Sequence, residues 1–240
     1  MATAAGGGSA YVRDQAFFVK LATGIALFIV FGFAQWGLRG MVDYAAVPVW
    51  VHLHGLAMLG WLALFVVQSR LAARGNLALH RRLGWLAAYL VVVIVVLGCA
   101  VGRMAIARHA VPPFYSNSYF LALTHIEAVA FGGLVFAAIT RRKQTDFHRR
   151  LMIGAAVLVT EPAFGRVLPM PFMPGWGSWV IMALQLAILG VMARHDRRTL
   201  GRIHPATASA AGVIVLVHVL IWAASLNPWV NGVAERIAGG

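Results

Sequence analysis

The sequence predicts an all-α, polytopic membrane protein with seven transmembrane helices, and three observations carry that prediction. Of its 240 residues, 61% are apolar and 11% charged, with a mean hydropathy of +0.80. That composition leaves too little polar surface to cover a soluble fold. Apolar runs of about 18 residues or more, each long enough to cross ~30 Å of hydrocarbon, recur along the chain. The cationic residues behind the net charge of +13 fall in short blocks between those runs. Such placement is a signature of membrane topology, so nucleic-acid modules are excluded along with secreted enzymes and disordered chains.

Residues 1–10 are small and glycine-rich with no basic start, and are expected as a disordered tail rather than a cleaved leader. Residues 11–240 then form one seven-span domain. The expected spans cover 17–38, 47–69, 83–102, 118–140, 151–168, 176–193 and 207–226. Glu161-Pro162 interrupts the fifth, because a proline inside a helix removes one N–H and crowds the preceding turn. The lone cysteine, Cys99, lies inside an apolar run, which excludes a disulfide framework and a cysteine-ligated cluster.

Orientation follows from the lysines and arginines of alternate loops. One side holds fifteen: Arg13, Lys20, Arg70, Arg74, Arg81, Arg82, Arg141, Arg142, Lys143, Arg149, Arg150, Arg194, Arg197, Arg198 and Arg202. The other holds five, Arg39, Arg103, Arg108, Arg166 and Arg236. The positive-inside rule therefore predicts a multi-pass protein of the inner cell membrane, with a cytoplasmic N-terminus and the C-terminus outside. The outer loops at 110–117 and 169–177 are rich in proline and aromatic residues, and an interfacial belt accounts for Trp36, Trp50, Tyr115, Tyr119, Trp176, Trp179 and Trp229.

An internal repeat underlies spans two to five. Setting 51–70 over 124–142 places His52 on His125 and His54 on Glu127, and both segments end in basic residues. His80-Arg81-Arg82-Leu83 and His148-Arg149-Arg150-Leu151 then open the following spans in the same way. The repeated hairpin, about 48–102 and 118–168, predicts a four-helix unit with sites between facing helices.

Polar side chains inside these spans mark the candidate site, because an ionisable group in hydrocarbon is costly unless paired or wetted. At about 1.5 Å per residue, His54 and His125 lie roughly 24 Å from the basic ends of their helices. Glu161 and His218 reach about 20 Å by the same count, beside Glu127. His52, His54, His125, Glu127, Glu161 and His218 are thus expected in one outer layer, with Arg103 and Arg166 just above. His80 and His148 form a second layer at the cytoplasmic boundary. His109, His195 and His204 lie in loops beside arginines and read as solvated. Residues two apart on a helix differ by about 200°, so only one of His52/His54 and one of His125/Glu127 faces the bundle. An inward His54 shares its stripe with Met58 and Trp61, and an inward His125 with Val129 and Gly132.

This pattern resembles the cytochrome b561 group and related two-haem membrane cytochromes, in which four successive helices each give one histidine. His54 in His52-Leu53-His54-Gly55, His80 in Leu79-His80-Arg81, His125 in Leu123-Thr124-His125 and His148 in Phe147-His148-Arg149 match the four ligands by position. The resemblance covers about residues 48–168. It implies haem b, one or two per chain, with an outer haem between His54 and His125 and an inner one between His80 and His148.

Two functions are expected to compete. One is a b-type haem protein carrying electrons across or within the membrane, its imidazoles tuned by burial and by hydrogen bonds to their second nitrogens. The other is a membrane metalloenzyme with zinc or iron held by His52, His54, His125, Glu127, Glu161 and His218. A proton- or ion-coupled transporter on the same residues is a further alternative, since Glu161-Pro162 supplies a broken helix. The bilayer is the partner the sequence names. It leaves open the electron donor or acceptor and assembly as a homo-oligomer or within a larger membrane complex.

Overall fold

A computed structural model describes the backbone of residues 3–240 and the side chains of residues 14–240. Its helices are α1 (Thr3–Leu38), α2 (Val49–Ala73), α3 (Leu77–Ala107), α4 (Asn117–Thr140), α5 (Thr145–Leu158), α6 (Glu161–Val167), α7 (Gly177–Leu200), α8 (Pro205–Ser225) and α9 (Pro228–Gly239), with a 3-10 turn at Met170–Phe172. No strand occurs among the described residues. Of the expected tail, residues 1 and 2 lie outside the described residues, and α1 begins at Thr3.

Among the described residues, six helices are long and apolar enough to cross a membrane: α1 from Asp14, α2, α3, α4, α7 and α8. The expected fifth span is not one continuous helix. It ends at Leu158 and restarts at Glu161, with Pro162 in the second position of α6. Pro162 has no N–H to offer the Leu158 carbonyl, so the helix must break there. Gln185 of α7 repairs the gap, its amide nitrogen donating to the carbonyls of Val157 at 3.2 Å and Leu158 at 2.8 Å. Buried backbone carbonyls need such partners, and here a side chain supplies them.

The broken helix is the most enclosed part of the molecule. Ala155, Ala156 and Val157 are fully buried, and α5 packs among α1, α4, α7 and α8. Large apolar side chains such as Leu56, Val92 and Phe136 instead face outward, as a lipid-facing surface requires. Small residues set the close approaches: Gly154 meets Ala210 of α8, and Gly102 meets Thr124 of α4. At Gly32 the neighbour is backbone, since a Cβ there would stand 3.0 Å from the Ala163 carbonyl oxygen.

The arginine-rich end is closed by buried ion pairs, which corrects the solvated reading of two histidines. Arg150 and Asp196 are fully buried and joined at 2.7 and 2.9 Å. The second Asp196 oxygen accepts from the His204 backbone N–H at 3.1 Å and from the Thr207 hydroxyl at 2.6 Å. His195 bonds Asp14 at 2.7 Å and stacks on Phe17 at 3.8 Å, while Arg149 pairs with the same carboxylate at 2.5 Å. These histidines are engaged because two of the few acidic residues lie at the same end, a long-range proximity that loop position alone does not reveal. His109 is exposed, as expected.

Beyond the last span that the sequence predicts, the described residues form a further helix, α9. Asn227 caps α9 by accepting from the Trp229 N–H at 2.9 Å, Pro228 occupies its first turn, and it folds back over α3 and α4.

Candidate functional site

Two histidines meet at the arginine-rich end. Asn76 starts α3 by accepting from the Leu79 N–H at 3.3 Å, which places His80 in the first turn. The His80 Nδ1 lies 3.3 Å from the Gln68 carbonyl, and the Gln68 amide donates back to the His80 carbonyl at 2.9 Å. His148 stands in the first turn of α5, with Nδ1 2.8 Å from the Ala138 carbonyl at the end of α4. A carbonyl only accepts, so each Nδ1 carries the proton and each Nε2 keeps a free lone pair. The two rings are 6.3 Å apart between centroids and nearly perpendicular, at 86°.

That spacing suits a shared metal centre. Two imidazole nitrogens at about 2.0–2.1 Å from one metal ion, on opposite sides of it, hold their ring centroids about 6 Å apart. The Nδ1-to-carbonyl bonds are also the outer contacts that fix a ligating imidazole in one tautomer and orientation. The two histidines would each offer an Nε2 to a metal, haem iron included.

The expected outer layer is dispersed. His54 packs against Gly98 of α3, where an added Cβ would lie 3.3 Å from the imidazole, and its Nδ1 is buried with no hydrogen-bond partner among the described residues. His52 is exposed and lies 3.2 Å from the Tyr44 carbonyl. His125 turns instead to a crevice of about 810 Å³ that it lines with Arg103, Trp229 and Arg236, its Nδ1 held by the Leu121 carbonyl at 2.9 Å. Because α3 runs past both, it serves as a ruler: Gly98 beside His54 and Arg103 beside His125 differ by five residues, roughly 7 Å. No ring contact joins His54 to His125 among the described residues.

Burial decides which member of each pair faces inward. Glu127 is 7% exposed, whereas Val129, on the His125 stripe, is 64% exposed. Glu127 is thus the inward residue of α4. On α2 the inward stripe is that of His54, with Trp61 only 1% exposed and stacked on Phe65. These inward residues are the two that the repeat alignment sets on each other.

The remaining polar groups gather around the helix break. Glu161 is buried and accepts from the Tyr115 hydroxyl at 3.5 Å, and it interacts electrostatically with Glu127 and Arg166. Arg166 donates to the Pro162 carbonyl at 2.7 Å and lies over the Phe33 ring. Burial, with Glu161 beside it, pushes the Tyr115 phenol well above its usual range, so it acts as a donor. His218 is held away from this group, its Nε2 2.9 Å from the Gln185 oxygen. Since the Gln185 nitrogen is committed to two carbonyls, His218 must donate from Nε2.

The sequence offers no sign of Gln185 beyond a single amide inside an apolar run, and it assigns Tyr115 and Tyr119 to an interfacial belt, whereas Tyr115 bonds Glu161 and Tyr119 stacks on Tyr115. Among the described residues, no three of His, Cys, Asp and Glu converge as a metal site. No family model matches the chain, and no match to it was found among curated proteins or solved structures.

Proposed function

We propose that the protein is a membrane electron carrier that binds one haem b between His80 and His148. The observation that carries this reading is the pair itself, two imidazoles 6.3 Å apart with both Nδ1 atoms tied to backbone carbonyls. When bound, haem supplies one-electron redox chemistry. The chain's part is to hold and tune it. The Gln68 and Ala138 carbonyls orient the imidazoles and raise their basicity as ligands. Arg81 and Arg82 form no ion pair among the described residues and adjoin His80, where they are placed to offset propionate charge. The pairing of His54 with His125, by contrast, draws no support from their separate surroundings.

The repeated hairpin is supported by its two equivalent joints, in each of which a first-turn histidine bonds a carbonyl near the end of the preceding helix. A seventh, broken crossing is supported by the contacts of α1. Asp14 near one end pairs with Arg149 of α5, and Gln35 near the other donates to the Arg166 carbonyl of α6 at 3.0 Å. The α5–α6 pair thus runs alongside a stretch of α1 about 31 Å long. With seven crossings, the fifteen cationic residues fall at one end, which favours a cytoplasmic N-terminus and an outer C-terminus.

The test is an absorption spectrum of the purified protein. A reduced-minus-oxidised b-type spectrum supports the reading. A colourless protein with stoichiometric zinc or non-haem iron would transfer the histidine pair to a protein-ligated metal site and refute electron carriage by haem.

A further inference from the structure

Deeper in the bundle than the histidine pair, near the middle of α4 and at the helix break, two carboxylates share one cation. Glu127 of α4 and Glu161 of α6 are 7% and 4% exposed, and Arg166 is the cation that acts on Glu161. The other groups around them are Tyr115 from the loop before α4, Tyr119 of α4 and Tyr44 from the loop before α2, the last facing Arg166. From α7 come Ser178, which faces Tyr119, and Gln185, which engages His218 of α8. None of these adds a second positive charge. Two ionised carboxylates would therefore leave one charge uncompensated in an apolar bundle, at a cost of several kcal/mol.

One oxygen identifies where the imbalance resides. The Glu127 Oε1 is buried and has no hydrogen-bond partner among the described residues, whereas Glu161 accepts from the Tyr115 hydroxyl and interacts electrostatically with Arg166. A bare carboxylate oxygen in that position is unfavourable; a carboxyl group with a proton there is not. A metal ion would need several oxygen or nitrogen ligands, and among the described residues no three of His, Cys, Asp and Glu converge.

A route to water adjoins the pair. Tyr115 and Tyr119 also line a cavity of about 230 Å³ with Phe114, Ser116, Ser178 and Trp222. Its volume accommodates about seven waters at ~30 Å³ each. Ser116 and Gly175 at its rim are exposed. The Tyr115 hydroxyl, which donates to Glu161 at 3.5 Å, stands between this cavity and the carboxylates.

We propose that Glu127 and Glu161 form a proton-binding site, with the proton carried on Glu127 and exchanged with water through Glu161, Tyr115 and the adjoining cavity. The step moves only a proton. A water-borne proton enters at the cavity, passes to the Glu161 carboxylate and on to Glu127, and returns by the same route. Nothing in it depends on haem between His80 and His148.

Infrared spectra of the full-length protein in H₂O and after transfer to D₂O test this through the carbonyl stretch of a protonated carboxyl group. Wild type should show such a band, shifted by D₂O, and Glu127→Gln should abolish it, because a single carboxylate is then left for the single cation Arg166 to balance. Tyr115→Phe should keep the band but slow its deuterium shift by at least about tenfold. If Glu127→Gln fails to assemble, Glu127→Asp serves instead and should move the band without removing it. A band absent from wild type, or unchanged in the Glu127 variants, overturns the site. An unchanged exchange rate in Tyr115→Phe overturns the route.

Discussion

Asp196→Ala should be the most damaging single change outside the candidate sites. It removes two charge-assisted bonds from Arg150, at 2.7 and 2.9 Å, together with the acceptor of the His204 N–H and the Thr207 hydroxyl. Because Arg150 is fully buried, its guanidinium is left with only Asp146 within reach, through the backbone carbonyl at 3.1 Å and a carboxylate oxygen at 3.4 Å. Breaking a buried pair on one side costs about 3–5 kcal/mol. At about 2–4 °C per kcal/mol for a chain of this size, Tm should fall by roughly 6–20 °C. Thermal unfolding of detergent-purified protein, followed by tryptophan fluorescence, reads the shift. The double variant Arg150→Met/Asp196→Asn removes both charges and keeps an acceptor for Thr207, so it should recover at least about half of the loss. A single variant within about 2 °C of wild type, or a double variant worse than Asp196→Ala, would refute the clasp as the main tie at this end.

Three further outcomes follow from particular contacts. Gly32→Ala should lower stability by about 1–3 kcal/mol, because the new methyl meets Ala163 backbone that no rotamer change can move, whereas Gly24→Ala meets nothing and should be tolerated; unfolding midpoints compare the two. Gln185→Leu should cost about 1–3 kcal/mol by removing the amide donor to the Leu158 carbonyl and the acceptor of the His218 Nε2–H, while Thr160 still donates to the Val157 carbonyl, and hydrogen exchange of the residues after the break should speed up; unaltered exchange would show that Gln185 does not brace it. His204 caps α8 with an unprotonated Nδ1 that accepts from the Ala206 N–H at 3.1 Å, and burial and Arg150 hold its ring below the ordinary value of 6.5. The unfolded chain thus binds the proton more readily, so stability is fully present above 6.5 and declines as pH falls from there toward the lowered folded value. His204→Asn keeps a capping side chain without the titration, and Tm against pH should be flatter in that variant than in wild type.

Much of the helical layout could be read from the chain, because apolar run length and proline or glycine punctuation are local signals. The break at Glu161-Pro162 is visible for that reason; the partner that heals it is not. Gln185 lies 27 residues from the Leu158 carbonyl it satisfies, and a lone amide in an apolar run does not announce its mate. The alternation rule required one inward residue per pair, and burial selects His54 and Glu127. Helix depth could not separate His125 from His54, since counting from the basic ends assumes parallel, evenly inserted helices. The arginine pairs that follow His80 and His148 place both at the cytoplasmic boundary but do not bring them together. What joins them is the folding of each hairpin, which brings a first-turn histidine onto the carbonyls of the helix before it.

The haem-to-protein ratio in purified His80→Ala and His148→Ala, beside wild type, His54→Ala and His125→Ala, tests the histidine pair most directly. The expected result is one haem per chain in wild type and in the His54 and His125 variants, with haem lost from both the His80 and the His148 variants while each still reaches the membrane. Full haem content in either the His80 or the His148 variant, or loss confined to His54 and His125, would contradict it.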